Sequence, residues 1–188
     1  MKNIFKQLYK IIPFKPTIFK GLKLIYTPNE NIYKHLHFKG RYKVKINPKT
    51  SFKINHFGFQ VEHDVFWSGL FGNWEKDSLL LWSELCKKSD VIFDIGANTG
   101  VYSLLAKSVN ANSSVYAFDP VKRFYDRLSE NISLNNFNIQ SYQLALSNKT
   151  GEAIIYDIDA EHTYAVTVNK NLHSNTDKVN EVKIKTLR

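Results

Sequence analysis

Apolar and polar positions change rhythm several times along the 188 residues. Between residues 2 and 12, Ile4, Phe5, Leu8, Ile11 and Ile12 fall on one helical face and Lys2, Lys6 and Lys10 on another; Pro13 and Pro16 end that pattern. Arg41–Ile46 and Phe52–Asn55 instead alternate polar with apolar residues around Pro48 and Lys49, which predicts a β-hairpin. Phe57–Val61 reads as an extension of its second strand, and Phe66–Trp74 as an aromatic connector with Gly69 and Gly72. Asn73 reads as the cap of a helix running to about Lys88.

From residue 90 strands and helices alternate. Val91–Phe93 is a fully apolar strand, Val101–Ser108 a helix and Val115–Phe118 a second strand. Pro120 suits the first turn of a helix over Val121–Asn135, and Ile139–Leu146 supplies a third strand. Such alternation predicts right-handed crossovers and a parallel, doubly wound sheet. After Gly151 the pattern changes to β segments without a helix between them, at Ala153–Ile158, Tyr164–Val168 and Val179–Leu187. The fold class expected is α/β, the first half of a doubly wound, Rossmann-like sheet. Residues 1–72 form a basic α+β accessory region ahead of it, and residues 73–188 the ligand-binding domain.

Charge sharpens that division. Residues 1–60 hold 13 Lys or Arg against one acid, Glu30, whereas residues 61–188 hold 13 against 16 acids. The helix over residues 2–12 fits docking on its own domain with its lysines in water, ahead of the alternative of peripheral contact with an anionic membrane. Lysines interleaved with aromatics invite a nucleic-acid reading, but no recognised binding motif accompanies them. The single cysteine, Cys86, excludes an intramolecular disulfide and a multi-cysteine metal site, and reads as a buried thiol. No stretch has the roughly 18 apolar residues of a membrane span, and Lys6 and Lys10 interrupt any secretory leader, so the expected location is cytoplasmic.

The candidate chemistry lies in Asp94-Ile95-Gly96-Ala97-Asn98-Thr99-Gly100, between the first strand and its helix. Ligands of parallel sheets sit beyond the carboxyl ends of the strands. Gly96 and Gly100 permit a tight turn and close backbone approach, and the helix start offers unpaired N–H groups to a carboxylate or phosphate. The dinucleotide spacing G-x-G-x-x-G fails, because Asn98 and Val101 stand where its second and third glycines belong. A P-loop fails as well, for want of Gly-Lys-Ser/Thr. What remains is acid-x-Gly-x-x-x-Gly with a second acid, Asp119, at the end of the next strand, where a carboxylate can accept both hydroxyls of a ribose. Each acid also has a structural reading, Asp94 as cap of the helix or turn and Asp119 as cap of the helix at Pro120. Their joint position favours a nucleoside site.

Four blocks, Val91–Ala106, Val115–Pro120, Leu128–Asn136 and Ala145–Gly151, together resemble the FkbM family of class I S-adenosylmethionine-dependent methyltransferases. The resemblance covers residues 74–187 in order, with residues 1–73 matching the variable extension such proteins carry. It implies that Asp94, Gly96, Ala97, Asn98 and Gly100 line the methionine end of S-adenosyl-L-methionine, Asp119 takes the ribose hydroxyls and Pro120 lies against the adenine, which Ala145–Ser147 also approach. It further implies O-methylation of a small-molecule or saccharide hydroxyl. The family's sequence continues past the equivalent of Arg188 with an Asp-x-Glu-Gly block and further strands, so the chain is expected to be a C-terminally truncated cofactor-binding part, and no catalytic base is assigned. His162 and Tyr164, in the inserted β segments, read first as exposed hairpin residues and only second as candidates for that role. Half a parallel sheet should expose apolar surface and associate. Two other readings stand beside the enzyme: an inactive remnant, and a basic membrane- or polyanion-associated protein acting through residues 1–60.

Overall fold

A computed structural model of the chain describes residues 13–158, 166–169 and 179–188. The amphipathic segment 2–12, His162 and Tyr164 lie outside the described residues.

The accessory region begins with helices α1 (Lys15–Ile25) and α2 (Glu30–Tyr33). Pro16 opens α1 and does not merely end the segment before it, since the N–H that proline lacks would be unpaired in a first turn anyway. The expected hairpin is present as β1 (Gly40–Lys45) and β2 (Ser51–His56), antiparallel, with Lys43 opposite Lys53. Tyr42, Val44, Phe52 and Ile54 point into the core, leaving the alternate lysines in solvent.

Phe57–Val61 does not extend β2. The His56 ring accepts the Gly58 N–H at 3.0 Å and turns the chain out of the sheet. The Glu62 carboxylate then accepts the Phe59 N–H at 3.1 Å, supplying an N-terminal bond to helix α3 (Gln60–Ser68). The aromatic connector is therefore shorter than its sequence suggests, because Phe66 and Trp67 are buried helical residues. The next helix, α4 (Lys76–Cys86), starts at Glu75 and not at Asn73, whose N–H bonds to Ser68 Oγ instead.

The α/β unit follows: β3 (Val91–Ile95), α5 (Val101–Val109), β4 (Ser114–Phe118), α6 (Lys122–Asn135) and β5 (Ile139–Tyr142). Its three strands are parallel in the order β3-β4-β5, giving the Rossmann-like α/β arrangement expected. The stretch 139–146 is not one strand. Pairing with β4 ends at Tyr142, and β6 (Ala145–Leu146) joins β7 (Gly151–Ile158), β8 (Val166–Thr167) and β9 (Val179–Leu187) in a separate sheet ordered β6-β9-β7-β8. That sheet packs Ile155 and Ile184 against Phe59, Val121 and Phe124. An ion pair fixes it to α6, with Arg123 Nε and Nη2 donating to Asp157 at 2.9 and 2.5 Å.

A single apolar cluster runs from Phe19, Phe52 and Trp67 through Leu79 and Leu104 to Ala117 and Leu128, so packing is continuous across residue 72. Two asparagines of α6 complete the join. Asn131 accepts the Asn55 N–H (2.8 Å) and donates to the Thr99 carbonyl (2.8 Å). Asn135 accepts the Lys53 N–H and donates to the Lys53 carbonyl, both at 2.7 Å. These backbone groups of β2 point away from β1, and the side-chain amides occupy the place of a third strand.

Among the described residues, nothing covers the other face of the parallel sheet at β3. Val91, Phe93 and Ile95 are more than half exposed, and Phe93 stacks on Tyr116 and Phe118 at 5.3 and 6.1 Å. Contiguous apolar surface of this kind associates. The chain should elute earlier from size-exclusion at high than at low concentration, and Phe93→Lys should reduce that difference. Asn131→Leu, which leaves the half-buried Asn55 N–H and the buried Thr99 carbonyl without this partner, should lower stability by about 1–3 kcal/mol in urea unfolding.

Candidate functional site

Strand β3 ends where the backbone passes through left-handed conformations at every second residue: Gly96 (φ 82°), Asn98 (φ 52°) and Gly100 (φ 91°). At Gly96 a Cβ would meet open space, so only the backbone angle calls for glycine. At Gly100 a Cβ would also lie 2.7 Å from Leu128 Cδ1, inside the packed core. The loop is tied to the end of β4. Gly96 and Ala97 both donate to the Phe118 carbonyl at 2.9 Å, and Asn98 N–H donates to Asp119 Oδ2 at 2.9 Å.

The two acids divide their work. Asp94 is turned under the loop, 8% exposed, and accepts bonds from the hydroxyl and backbone N–H of Ser103 in the first turn of α5. Burial raises its pKa, and the Ser103 bonds partly oppose that rise. Asp119 accepts Asn98 N–H on one oxygen and Val121 N–H on the other, both at 2.9 Å. Burial pushes its pKa up to about 6; those two N–H groups and Arg123 pull it back, while the Asp94 charge adds to the rise. An ionised carboxylate has about four lone-pair sites, so these two bonds leave roughly two acceptor positions. Pro120 stands just before Val121, the cap residue of α6, and not within the helix's first turn.

Against this loop lies a cavity of about 330 Å³, lined by Gly96–Thr99, by Val101 and Tyr102 of α5, and by Val61, Trp74 and Glu75. Of the sequence-derived site residues, Gly96, Ala97 and Asn98 line the cavity. Asp94, Gly100, Asp119 and Pro120 are not among its lining residues; Asp94 and Asp119 are bonded around the loop that forms it. Asn98 Oδ1 is buried without a hydrogen-bond partner among the described residues, an acceptor left for a ligand. A 460 Å³ cleft bounded by Lys107, Ser114 and Gln140 lies at the amino ends of β4 and β5, the end of a parallel sheet opposite to that used for ligands.

Val61, Trp74, Glu75 and Tyr102 were invisible to pattern reading. Tyr102 looked like one residue of a helix, and the others belonged to a strand extension, a connector and a helix start. A geometric signal did exist for Trp74 and Glu75. The 11 residues of α4 span about 16 Å and the five of β3 about the same, so a helix leading into that strand can start level with its carboxyl end; in the fold α4 packs on α5, where Trp82 meets Tyr102. Glu75 is held there in a left-handed conformation (φ 43°) and accepts a 2.6 Å bond from Tyr102 OH. Tyr102 is wedged edge-on between Trp74 and Trp82, and Trp82 Nε1 donates to its carbonyl at 3.1 Å.

No protein-family model matches the chain. It is 33% identical over 96 residues to methyltransferase sdnD of Sordaria araneosa, a match covering 50% of this chain and 33% of that protein. It is 32% identical over 78 residues to the hexuronic acid methyltransferase AglP of Haloferax volcanii, covering 42% and 31%. The chain thus spans about a third of the length of the curated relatives it matches. Among solved structures, the SAM-dependent methyltransferase from Agrobacterium tumefaciens overlaps 59% of this chain and 41% of its own, at 14% identity and a TM-score of 0.38. Among the described residues, no helix is long and apolar enough to cross a membrane.

Because the folded chain holds the Asp119 proton up to about pH 6, it binds more protons there than the unfolded chain. That contribution to stability is complete below the ordinary carboxylate range and is lost as pH rises through about 6. Wild type should therefore lose stability relative to Asp119→Asn between pH 4 and 7, by up to about 3 kcal/mol, in urea titrations at each pH.

Proposed function

We propose that the chain is the cofactor-binding part of an S-adenosylmethionine-dependent methyltransferase of the FkbM type. The observation that carries this reading is the left-handed loop at the carboxyl end of β3, with an unpartnered Asn98 Oδ1 in its cavity and Asp119 fastened beneath it. The donor set fits a nucleoside with an amino-acid tail. Backbone N–H groups at the start of α5 suit the tail carboxylate, the spare lone pairs of Asp119 suit a diol, and Pro120 offers an apolar face to the base. The names of the two relatives support the same activity, since both are methyltransferases.

S-adenosylmethionine, when bound, supplies an electrophilic methyl group on a sulfonium. The chain's own residues then bind and orient it: Gly96, Ala97, Asn98 and Gly100 by backbone contact, Asp94 by holding the first turn of α5 in place through Ser103. Catalysis in such a site is mainly positioning of two reactants. The acceptor we propose is a hydroxyl of a small molecule or saccharide, in keeping with the hexuronic acid named for one relative.

Calorimetry of the chain with S-adenosylhomocysteine tests the reading. Heat of binding is expected, and it should fall sharply in Asp119→Asn, which keeps one acceptor for the loop but loses the charge. Affinity should rise with pH through about 6, because the carboxylate is the form that accepts both hydroxyls. Absence of heat for wild type at millimolar ligand would overturn it.

A further inference from the structure

Glu75 has no part in the family motif, yet it lines the same cavity as Gly96 and Asn98. Its position is constrained on two sides. The backbone adopts φ 43°, which costs a non-glycine residue free energy and persists only where surroundings impose it. Its Oε2 is engaged by Tyr102 OH at 2.6 Å, and Tyr102 is itself fixed by Trp74 and Trp82. The hydroxyl orients the exposed carboxylate, which remains an acceptor with lone pairs to spare.

A second observation points to what it accepts. Asn98 Oδ1, in the same lining, is a buried acceptor without a partner among the described residues. Two oxygen acceptors, one of them charged, in a lining shared with Trp74 and Tyr102 suit a cation that donates several hydrogen bonds. On the reading given under Proposed function, the start of α5 takes an α-carboxylate. The α-ammonium of an amino acid is bonded to the same carbon as its carboxylate, so the two must be received within a few bond lengths of each other.

We infer that Glu75, oriented by Tyr102 and assisted by Asn98 Oδ1, is the receptor for the α-ammonium group of the cofactor's amino-acid tail. The inference rests on that functional reading. It makes the segment between α3 and α4 part of the cofactor site.

The test compares two ligands that differ in that tail. S-adenosylhomocysteine carries the α-ammonium, whereas 5′-methylthioadenosine keeps the nucleoside and the sulfur without any amino acid. In calorimetry on the full chain, Glu75→Gln should weaken S-adenosylhomocysteine about tenfold, the low end for a charged hydrogen bond at an exposed carboxylate. It should leave methylthioadenosine within twofold. Glu75→Asn, which tolerates the left-handed backbone, should give the same pattern, with thermal unfolding checking that each variant is folded. Unchanged S-adenosylhomocysteine affinity in both variants would overturn the assignment, as would an equal loss for both ligands, which would mark Glu75 as a support of the whole cavity. If wild type binds neither ligand, the cofactor reading itself fails and this inference falls with it.

Discussion

The Asn131 side chain is the interaction on which the arrangement most depends. Buried completely, it uses its oxygen for the N–H of Asn55 in the hairpin and its nitrogen for the carbonyl of Thr99 in the glycine loop. One amide therefore sets the distance between the accessory region and the ligand loop. Neither partner has an alternative: a buried backbone group left unpaired costs as much as the bond itself contributes. Asn135, one turn on, repeats the device on Lys53, so α6 behaves toward β2 as a strand would. The hairpin needs that cover, because two isolated strands are marginal in water.

The acids around the loop are held where burial works against their charge. Asp94 and Asp119 are both nearly buried and both have raised pKa values, with burial the leading cause in each. Their immediate partners are structural, namely Ser103 in α5, Asn98 in the loop after β3, and Val121 at the start of α6. The capping role and the ligand role, which look like alternatives in sequence, are compatible in the fold because a carboxylate has more acceptor positions than these bonds use. The left-handed backbone of Asn98 and its side-chain oxygen, without a partner among the described residues, lie at one place.

Much of this could be read locally. Apolar Val91–Phe93, glycines where φ turns positive, and the 3.6-residue rhythm of Val101–Ser108 name a strand, a turn and a helix without reference to anything distant. The β segments after Gly151 were legible for the same reason. The errors lie where a distant or capping contact overrode local preference. Phe57–Val61 has strand-like residues, but the His56 ring and the Glu62 carboxylate capture its amides and start a helix. Ala145–Leu146 continues an apolar run, but its backbone pairs with Thr186 and Leu187 rather than with β4.

By itself, then, the sequence determined the alternation of strand and helix from residue 90 to Tyr142 and the glycine loop after its first strand, since periodicity and backbone preference are properties of neighbouring residues. Only the tertiary structure decided what surrounds that loop. Val61 comes to it from α3, and Trp74 and Glu75 from the start of α4, which packs on α5, while Asn131 holds Asn55, 76 residues away, because helix α6 crosses the hairpin's edge. Such meetings depend on where the ends of elements fall in space, and no local pattern carries that information.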